Sequence, residues 1–528
     1  MQPKSDIFLY DTTLRDGSQR KGISLSVADK IKIATLLDEL GVPYLECGWP
    51  GSNPKDAEFF RQSKRLSFSN SKIVAFGSTR RKGMAAQLDS NLEALLQAET
   101  PVVALVGKTW TLHVEKVLGA TLAENLDMIR ESVEFMTKHG REVVYDAEHF
   151  FDGFRADPQY SIESIVAAAQ GGATWLVLCD TNGGSLPSYV TAVVAQVRAE
   201  LARRDISVRL GIHTHNDSEL AVANSLAAIE AGCLMVQGTV NGYGERCGNA
   251  NLISIVPILE LKMGRRVVAP GALQHLTELS RKVAEIVNLS PDTQAAYVGS
   301  SAFAHKGGIH VAAVEKVAES YEHIEPSLVG NKREIVVSEL SGRGNIRVRA
   351  SELDVRLEGV EATVLEQIKA LESKGFQFEN AEASFELLMR RASKGYIAPF
   401  SLLDVMVVSD TRSENRSMVQ AMVQAMVKVK VRDTELHTVS EGAGPVHALD
   451  GALRKALGEI FPAIAQLRLT DYKVRILDPE SATAAITRVL IEASHGDARW
   501  TTVGCSENII HASCTALCDS FEYAILSQ

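Results

Sequence analysis

Two histidines separated by one residue, His213 and His215, form the pattern in this sequence with the clearest chemical meaning. On a β-strand, residues i and i+2 face the same way and lie about 7 Å apart along the chain. Two imidazoles placed in this way can hold one metal ion, and Asp16 would add a carboxylate oxygen. Such a ligand set, with open positions, suits a catalytic divalent ion. The alternative is a pair of histidines held by hydrogen bonds at the end of a strand.

Arg15 and Glu148 are the next candidates for chemistry. An arginine at the rim can stabilise an oxyanion that develops on a carbonyl group, and the less favoured alternative is a surface ion pair. Glu148 is either a general base or a carboxylate that orients Arg15. His305 lies outside the region that holds these residues, and a single histidine is more often structural than catalytic.

The elements that must position these side chains are eight β-rich runs, each followed by a helix-like segment. The runs are Ile7–Leu14, Pro43–Trp49, Lys72–Ser78, Pro101–Gly107, Glu142–Phe150, Thr174–Thr181, Val208–His215 and Leu234–Gly242. Strands that alternate with helices pair in parallel, because parallel connections need a crossover. Eight such units predict an α/β fold, a (β/α)8 TIM barrel. The rival is an open doubly wound sheet, but the glycine-rich phosphate turn that would favour it is missing after the first run.

Polar residues cluster where these predicted strands end, which is where TIM barrels carry their active sites. The residues are Arg15 and Asp16, Glu148 and His149, Asp180 and Thr181, His213 and His215, and Gly244, Glu245, Arg246 and Asn249. The first helix has both of its boundary signals, with Ser26 as a predicted N-cap and Gly41 as a predicted stop. The barrel prediction therefore gathers ionisable groups from distant parts of the chain on one rim.

The pattern changes twice after the barrel, which predicts three domains with boundaries at 1–265, 266–397 and 398–528. The middle region is a helical connector, with helices predicted at Gly271–Asn288, Glu361–Gly375 and Ala381–Lys394 and a flexible turn at Ser338–Asn345. The last region is α+β and contains strands followed by a helix, twice. Its predicted elements are Leu402–Ser409, Met426–Thr438, Val446–Phe461, Leu467–Leu477, Ala485–Ala493, Trp500–Cys505 and Asn508–Leu526.

The composition and net charge of the chain exclude some classes of binding partner. The 528 residues are 45% hydrophobic and carry a net charge of −10, which argues against nucleic acid or an anionic membrane as the main partner. No apolar run is long enough to cross a membrane, and no signal peptide is recognisable at the N-terminus. Seven cysteines without a Cys-x-x-Cys pair predict reduced thiols and a cytoplasmic protein.

Three separate motifs resemble the signatures of one enzyme family. They are Asp11-Thr-Thr-Leu-Arg-Asp-Gly17 with Gln19 following, His213-Thr-His-Asn-Asp217, and Gly242-Tyr-Gly-Glu-Arg-Cys-Gly-Asn249. The family is that of the metal-dependent Claisen-condensing barrels, the α-isopropylmalate synthase/homocitrate synthase family. Ser18 departs from it, since many relatives carry glutamate there, but it lies beside the signature and is not a ligand.

Further stretches resemble the long-form citramalate synthases within this family. They are 48–56, 145–153, 178–184 and 301–310, and the regions around 442–446 and 500–504 resemble the family's allosteric dimerisation domain. The resemblance covers nearly the whole chain. It implies condensation of acetyl-CoA with pyruvate and thioester hydrolysis, on the route to isoleucine.

The resemblance also implies roles for individual residues. Asp16, His213 and His215 would bind a divalent ion (Mg, Mn or Zn) that polarises the keto group of pyruvate, with Asn249 near it. Arg15 would stabilise the alkoxide, and Gln19 and Thr181 would bind substrate. Glu148 and His305 are the implied bases, His305 coming from the partner subunit of a homodimer, and Tyr321 matches a family tyrosine. The last domain would bind isoleucine as an effector.

Two rival functions remain at this stage. The first is another synthase of the family, such as 2-isopropylmalate or homocitrate synthase, which would differ in the pocket for the side chain of the keto acid. The second is a catalytically silent metabolite sensor. The complete set of Arg15, Asp16, Glu148, His213, His215 and His305 argues against the sensor.

Overall fold

The computed structural model describes residues 7–338, 341–355, 357, 359–410, 422–478, 480, 484–496 and 498–527. These residues form two compact units. The first unit contains the described residues up to Phe303 together with Ile324–Lys332. The second contains Ala304–His323 together with the described residues from Arg333 onward.

A closed barrel of eight parallel strands forms the centre of the first unit. The strands are β1 Phe8–Asp11, β2 Tyr44–Glu46, β3 Lys72–Ser78, β4 Val102–Lys108, β5 Glu142–Glu148, β6 Trp175–Asp180, β7 Arg209–Thr214 and β8 Met235–Gly238. The last strand returns to pair with the first, from Phe8 opposite Met235 to Asp11 opposite Gly238. The predicted TIM barrel is therefore confirmed, and the open sheet is excluded because β1 and β8 close the ring.

The strands read as continuous apolar runs because both of their faces are buried. Along β1, Leu9 belongs to the apolar layer between the strands and the helices, whereas Tyr10 belongs to the cluster inside the barrel. Tyr10 stacks there on Tyr44, with ring centroids 5.9 Å apart, and Trp175 packs against the Tyr44 edge. These large rings fill the barrel interior.

Ten helices surround or follow the barrel. They are α1 Val27–Leu40, α2 Pro54–Ser63, α3 Ser90–Gln97, α4 Leu122–Lys138, α5 Phe150–Ala156, α6 Pro158–Gln170, α7 Pro187–Arg203, α8 Ala221–Ala231, α9 Leu252–Pro257 and α10 Leu276–Ile286. Both predicted boundary signals of α1 are confirmed. Ser26 and Asp29 form a capping box, and Gly41 adopts φ 92°. A Cβ at Gly41 would lie 2.6 Å from the backbone nitrogen of Ala269, so no other residue fits.

The second unit begins with a small parallel pair of strands, β9 Ala304–His305 and β10 Glu334–Ile335. Four helices accompany it, α11 Gly308–Val314, α12 Arg343–Glu352, α13 Glu361–Glu372 and α14 Glu382–Ala392. The flexible turn predicted at Ser338–Asn345 is wrong at its end, because Arg343–Asn345 start α12, where the Asn345 side chain accepts the Gly342 N–H. Residues 339 and 340 of that prediction lie outside the described residues.

The rest of the second unit contains two similar modules, each an antiparallel three-stranded sheet with a long helix. The first comprises β11 Ser401–Asp410, β12 Met422–Val431, β13 Thr434–Gly442 and α15 Pro445–Leu457. After the short helix α16 Ala463–Gln466, the second comprises β14 Arg468–Ile476, β15 Thr487–His495, β16 Ala498–Ser506 and α17 Ile509–Leu526. The predicted repetition of strands and helix is present. The single strand predicted at Met426–Thr438 is instead a hairpin that turns at Arg432 and Asp433.

The two modules share a detail that supports an internal duplication. The outer strand of each sheet has a register shift, between Leu402 and Asp404 in β11 and between Leu469 and Asp471 in β14. In both strands the aspartate side chain accepts the next backbone N–H, at 2.9 and 2.8 Å. The same bulge with the same side-chain contact in the first strand of each module is a matched feature.

No described helix combines the length and the apolar character needed to span a membrane. All seven cysteines are free thiols.

Candidate active site

A cavity of about 730 Å³ opens where the barrel strands end. Side chains that follow every strand line it, which is the arrangement typical of a TIM-barrel active site. The lining includes Arg15, Asp16, Gln19, Trp49, Phe76, Arg80, Arg81, Lys82, Lys108, Asp146, Glu148, Thr181, His213, His215, Glu245 and Arg246. Eight of the twelve residues predicted at one rim line the cavity, and His149, Asp180, Gly244 and Asn249 are not among its lining residues. His305 and Tyr321, which were not predicted at this rim, belong to the second unit.

Asp16, His213 and His215 are buried and point at one another at the mouth of the barrel. The two Nε2 atoms are 3.2 Å apart, and Asp16 Oδ2 lies 3.3 Å from that of His213 and 3.9 Å from that of His215. Ligand atoms that are each about 2 Å from one ion stand roughly 3 Å apart. Among the residues that the structure describes, this is the only group of three or more acidic, histidine or cysteine side chains close enough to share an ion.

Asn249 completes the cluster from the loop after β8. Its Nδ2 donates to Asp16 Oδ2 at 2.8 Å and lies 3.4 Å from His213 Nε2. Its Oδ1 is buried and has no hydrogen-bond partner among the described residues. A half-turn of the amide would present this oxygen to the cluster. A Cβ at Gly244 would lie 1.8 Å from Asn249 Oδ1, so glycine at 244 is needed to leave room for the amide.

Electrostatics favour the metal-binding protonation states of Asp16 and His215. Burial would raise the pKa of Asp16, but the Arg15 guanidinium and His213 outweigh it and hold that pKa well below its usual range. Burial and the adjacent His213 lower the pKa of His215 to about 3, so its imidazole is neutral. At His213 burial opposes the charged form, but the contact with Asp16 outweighs it and raises the pKa, so an ion would displace a proton there. An ionised carboxylate, a neutral imidazole and an unpartnered amide oxygen are suitable donors for a divalent ion. The residues present therefore fit a divalent metal ion.

Arg15 is held in one orientation at the side of this cluster. Its Nε donates to Glu46 Oε1 at 2.6 Å, and NH1 lies 3.5 Å from Asp16 Oδ1. The guanidinium lies over the Phe76 ring, with Cζ 3.9 Å from the ring centroid. Burial opposes its charge, but Glu46 and Asp16 more than compensate and raise the pKa of Arg15. The guanidinium is thus a fixed cation, and the surface ion pair considered as an alternative is wrong, because only 15% of the side chain is exposed.

Glu148 lies at the end of β5 and lines the same cavity. It pairs with Lys108 at the end of β4, and Glu46 takes the position beside Arg15. Glu46 rather than Glu148 therefore orients Arg15. Glu148 can then have another role.

Thr181 and Gln19, the predicted substrate-binding residues, both line the cavity. The Thr181 hydroxyl oxygen accepts the backbone N–H of His149 at 2.8 Å, so its own proton is free to donate to a ligand. Gln19 stands exposed at the rim, in the short turn Gly17–Gln19. The remainder of the first motif supports this loop, since Asp11 accepts both the backbone N–H and the hydroxyl of Thr13.

His305 and Tyr321 are described within the second unit. His305 ends the short strand β9, and its Nε2 lies 3.2 Å from Glu322 Oε1. Glu322 in turn accepts two hydrogen bonds from Arg333, at 2.5 and 2.6 Å. Tyr321 is 47% exposed and stacks on His310, with ring centroids 4.3 Å apart. A histidine whose ring is oriented by a carboxylate is a typical general base.

Several residues of this site were not anticipated from the sequence. Glu46, Lys108, Asp146 and Gln237 are buried or half-buried polar residues within strands, where sequence reasoning expects apolar core. The signal that was available is their position near the carboxyl end of a predicted strand. Arg81 and Lys82 follow β3 and add a positive rim to the cavity. The cluster Ser78-Thr-Arg-Arg-Lys82 was visible in the sequence as a run of basic residues.

Three sequence families match successive parts of the chain. The HMGL-like family matches residues 6–283, and a domain described as homocitrate synthase post-HMGL domain-like matches residues 297–375. The LeuA allosteric (dimerisation) domain matches residues 379–525.

Curated relatives match over almost the full length. An (R)-citramalate synthase from Synechocystis sp. is 52% identical and covers 99% of this chain and 96% of its own. An (R)-citramalate synthase from Geobacter sulfurreducens is 50% identical and covers 98% of this chain and 97% of its own. A 2-isopropylmalate synthase from Methanocaldococcus jannaschii is more distant, at 31% identity over 97% of this chain and 93% of its own.

Proposed function

Because this chain belongs to the (R)-citramalate synthase family, with an HMGL-like barrel and a LeuA dimerisation domain, we propose that it condenses acetyl-CoA with pyruvate at the mouth of the barrel. It is an enzyme of the acyltransferase type. The products are (R)-citramalate and CoA, released after hydrolysis of the thioester. The observation that carries this assignment is near-full-length identity of about half to citramalate synthases, together with the convergence of Asp16, His213 and His215.

The rival keto acids are tested by one panel of assays. We expect CoA release from acetyl-CoA to be fastest, in kcat/KM, with pyruvate, and to fall with 2-ketobutyrate, 2-ketoisovalerate and 2-ketoglutarate. One extra methylene in a tight pocket costs about 10–200-fold in kcat/KM. Equal or faster turnover with 2-ketoisovalerate would identify a 2-isopropylmalate synthase instead. CoA release with none of the four keto acids would favour the catalytically silent sensor.

The side chains at the barrel mouth are assigned roles from their contacts. A divalent ion (Mg, Mn or Zn) held by Asp16, His213 and His215, with Asn249 beside it, would act as a Lewis acid on the keto group of pyruvate. Thr181 donates its free hydroxyl proton to the carboxylate of pyruvate, and Gln19 contacts the substrate at the rim. Arg15, fixed by Glu46, stabilises the negative charge that forms on the C2 oxygen as the new C–C bond is made.

The cavity has the positive charge at its rim that the phosphates of acetyl-CoA require. Arg81 and Lys82 stand at its rim, where they can bind the phosphates of the cofactor portion. The methyl group of the acetyl thioester is a weak carbon acid, so a positioned base must remove its proton. Glu148, in the cavity, and His305, oriented by Glu322, are the proposed pair for this step, and Tyr321 assists them.

We assign His305 and Tyr321 to the site of the partner subunit, which makes the enzyme a homodimer. Support comes from the match to a dimerisation domain and from the placement of these residues in the second unit, outside the lining of the barrel cavity. A symmetric dimer is the commonest assembly that gives two such composite sites.

Mixing two inactive variants tests this arrangement. His305→Ala and His213→Ala proteins each lack a different half of the composite site. If subunits exchange freely, half of the dimers are mixed, and each has one intact site, so we expect about a quarter of wild-type activity. The measurement is CoA release after a mixed 1:1 incubation, with subunit exchange followed independently by fluorescence transfer between labelled subunits.

Each variant incubated alone serves as the control and should stay inactive. Full exchange without recovered activity would place His305 in the same subunit as its site, or outside catalysis.

The duplicated modules after residue 398 are proposed to bind isoleucine as an end-product inhibitor. The support is the match of this region to an allosteric domain, together with the two similar modules and their matched bulges. A purely structural dimerisation module is the alternative. The enzyme is placed in the cytoplasm, where its seven free cysteines stay reduced.

Isoleucine should inhibit the full-length enzyme, and leucine should inhibit it more weakly. Allosteric coupling of about 1–3 kcal/mol changes an apparent affinity about 5–150-fold. Removal of residues 398–528 should abolish the inhibition, although activity will also suffer, because Arg391 of α14 bonds Asp519 and Glu522 of α17. The cleaner measurement is calorimetric binding of isoleucine to the full chain carrying His213→Ala, which should bind normally. No heat, and an enzyme indifferent to isoleucine, would leave a structural module.

A further inference from the structure

Gln237 connects one metal-binding histidine to a buried carboxylate. It lies on β8 and is fully buried, and its Oε1 lies 2.9 Å from Nδ1 of His213. Its Nε2 donates to Oδ1 of Asp146 on β5, also at 2.9 Å. Three strands thus contribute one line of hydrogen bonds, from Asp146 through Gln237 to His213. Gln237 lies outside the motifs that carry the family resemblance, and Asp146, within the stretch 145–153, was given no role there.

The direction of each hydrogen bond in this line follows from the donors and acceptors available. Oδ1 of Asp146 accepts, so the amide of Gln237 must turn its NH₂ group toward Asp146. The amide oxygen then faces His213 and can only accept, which requires the proton of the imidazole to sit on Nδ1. Nε2 of His213 is then the nitrogen directed at Asp16 and His215, where the ion would bind.

We infer that Gln237 is a positioning residue that holds His213 in the tautomer able to bind the divalent ion. The inference deepens the proposed function, since it rests on the metal site. His215 provides the contrast, because its Nδ1 is buried without a hydrogen-bond partner in the described part of the chain. His213 is therefore the pre-oriented ligand of the pair. Outer partners of metal-bound histidines typically change metal affinity about 10–100-fold when they are removed.

The test measures Mn²⁺ affinity of the metal-free, full-length protein by the EPR signal of free Mn²⁺. Gln237→Leu fills nearly the same volume without an acceptor, and we expect its dissociation constant to rise about 10–100-fold. Gln237→Glu restores the acceptor for Nδ1 but loses the NH₂ group that donates to Asp146, so we expect its dissociation constant to lie between those of the wild type and Gln237→Leu. Thr239→Val, which removes another buried polar group of this region, should leave the affinity unchanged.

A second readout reports the tautomer directly. In ¹⁵N-histidine spectra of the metal-free protein, Nδ1 of His213 should be protonated in the wild type, and this protonation should become incomplete in Gln237→Leu. Unchanged Mn²⁺ affinity in Gln237→Leu, beside a large loss in His213→Ala, would overturn the positioning role alone. Equal affinity in wild type and His213→Ala would instead overturn the metal site on which the inference rests.

Discussion

Replacing His213 by alanine should remove the divalent ion and reduce kcat at least about 10³-fold, while the fold survives. The Lewis-acid contribution of a bound ion is worth several kcal/mol, and each 1.36 kcal/mol is a factor of ten in rate. His213 supplies one of three ligand atoms that lie within 4.8 Å of one another. Its Nδ1 has a hydrogen-bond partner, whereas Nδ1 of His215 has none among the described residues. His215→Ala should behave similarly, with a somewhat smaller loss of affinity.

The measurement combines metal content after dialysis with CoA release in the presence of added Mn²⁺. His275→Ala is the matched control, because His275 is a largely exposed histidine outside the cavity lining and should retain both metal and activity. Circular dichroism checks that each variant is folded. Wild-type activity in a chelator-treated His213→Ala protein would remove the metal assignment.

Arg15→Lys should lower kcat about 10²–10³-fold, the range for losing one well-placed oxyanion donor. Lysine keeps the charge but not the planar guanidinium that donates to Glu46 through Nε and lies flat on Phe76. The retained ammonium would be free to move away from the C2 oxygen. The effect should fall on kcat, because the charge on that oxygen develops mainly in the transition state.

Steady-state kinetics with pyruvate as the varied substrate check this prediction. Arg61→Lys serves as a control for the same exchange at an exposed arginine that pairs with Glu58 on its own helix. An unchanged kcat with a raised KM for pyruvate would show that Arg15 contributes to ground-state binding instead.

The barrel could be predicted from the sequence because its strands are buried on both faces and its helices carry local signals. The run Lys72–Ser78 coincides in whole with the observed strand, whereas the run Glu142–Phe150 extends two residues beyond β5, because Phe150 begins α5. Signals of this kind act over a few residues. The hairpin at Arg432 and Asp433 was missed because it lacks such a local signal. The alternation of apolar and polar residues continues through it, and the Asn-Gly pair typical of such turns is absent.

The residues of the candidate site were likewise only partly predictable from the sequence. Asp16, His213 and His215 stand out in the sequence because the His-x-His spacing places both imidazoles on one strand face and because Asp16 follows the first predicted strand. Glu46 and Gln237 do not, since one polar residue in a strand has many explanations until its partner is known. The partners are far apart in the chain, Arg15 with Glu46 and His213 with Gln237, and only the closure of the barrel brings them together. Orientation of the catalytic groups therefore required the fold.

The most direct test of the central claim is product analysis with methyl-¹³C acetyl-CoA and pyruvate. The wild-type protein, reconstituted with Mn²⁺ or Mg²⁺, should release one CoA for each (R)-citramalate formed, with the label in the methylene carbon beside the tertiary alcohol. Chelation should stop both, and added metal should restore both. Two results would contradict the account. One is CoA release without citramalate, and the other is undiminished citramalate formation by protein that chelation has freed of metal.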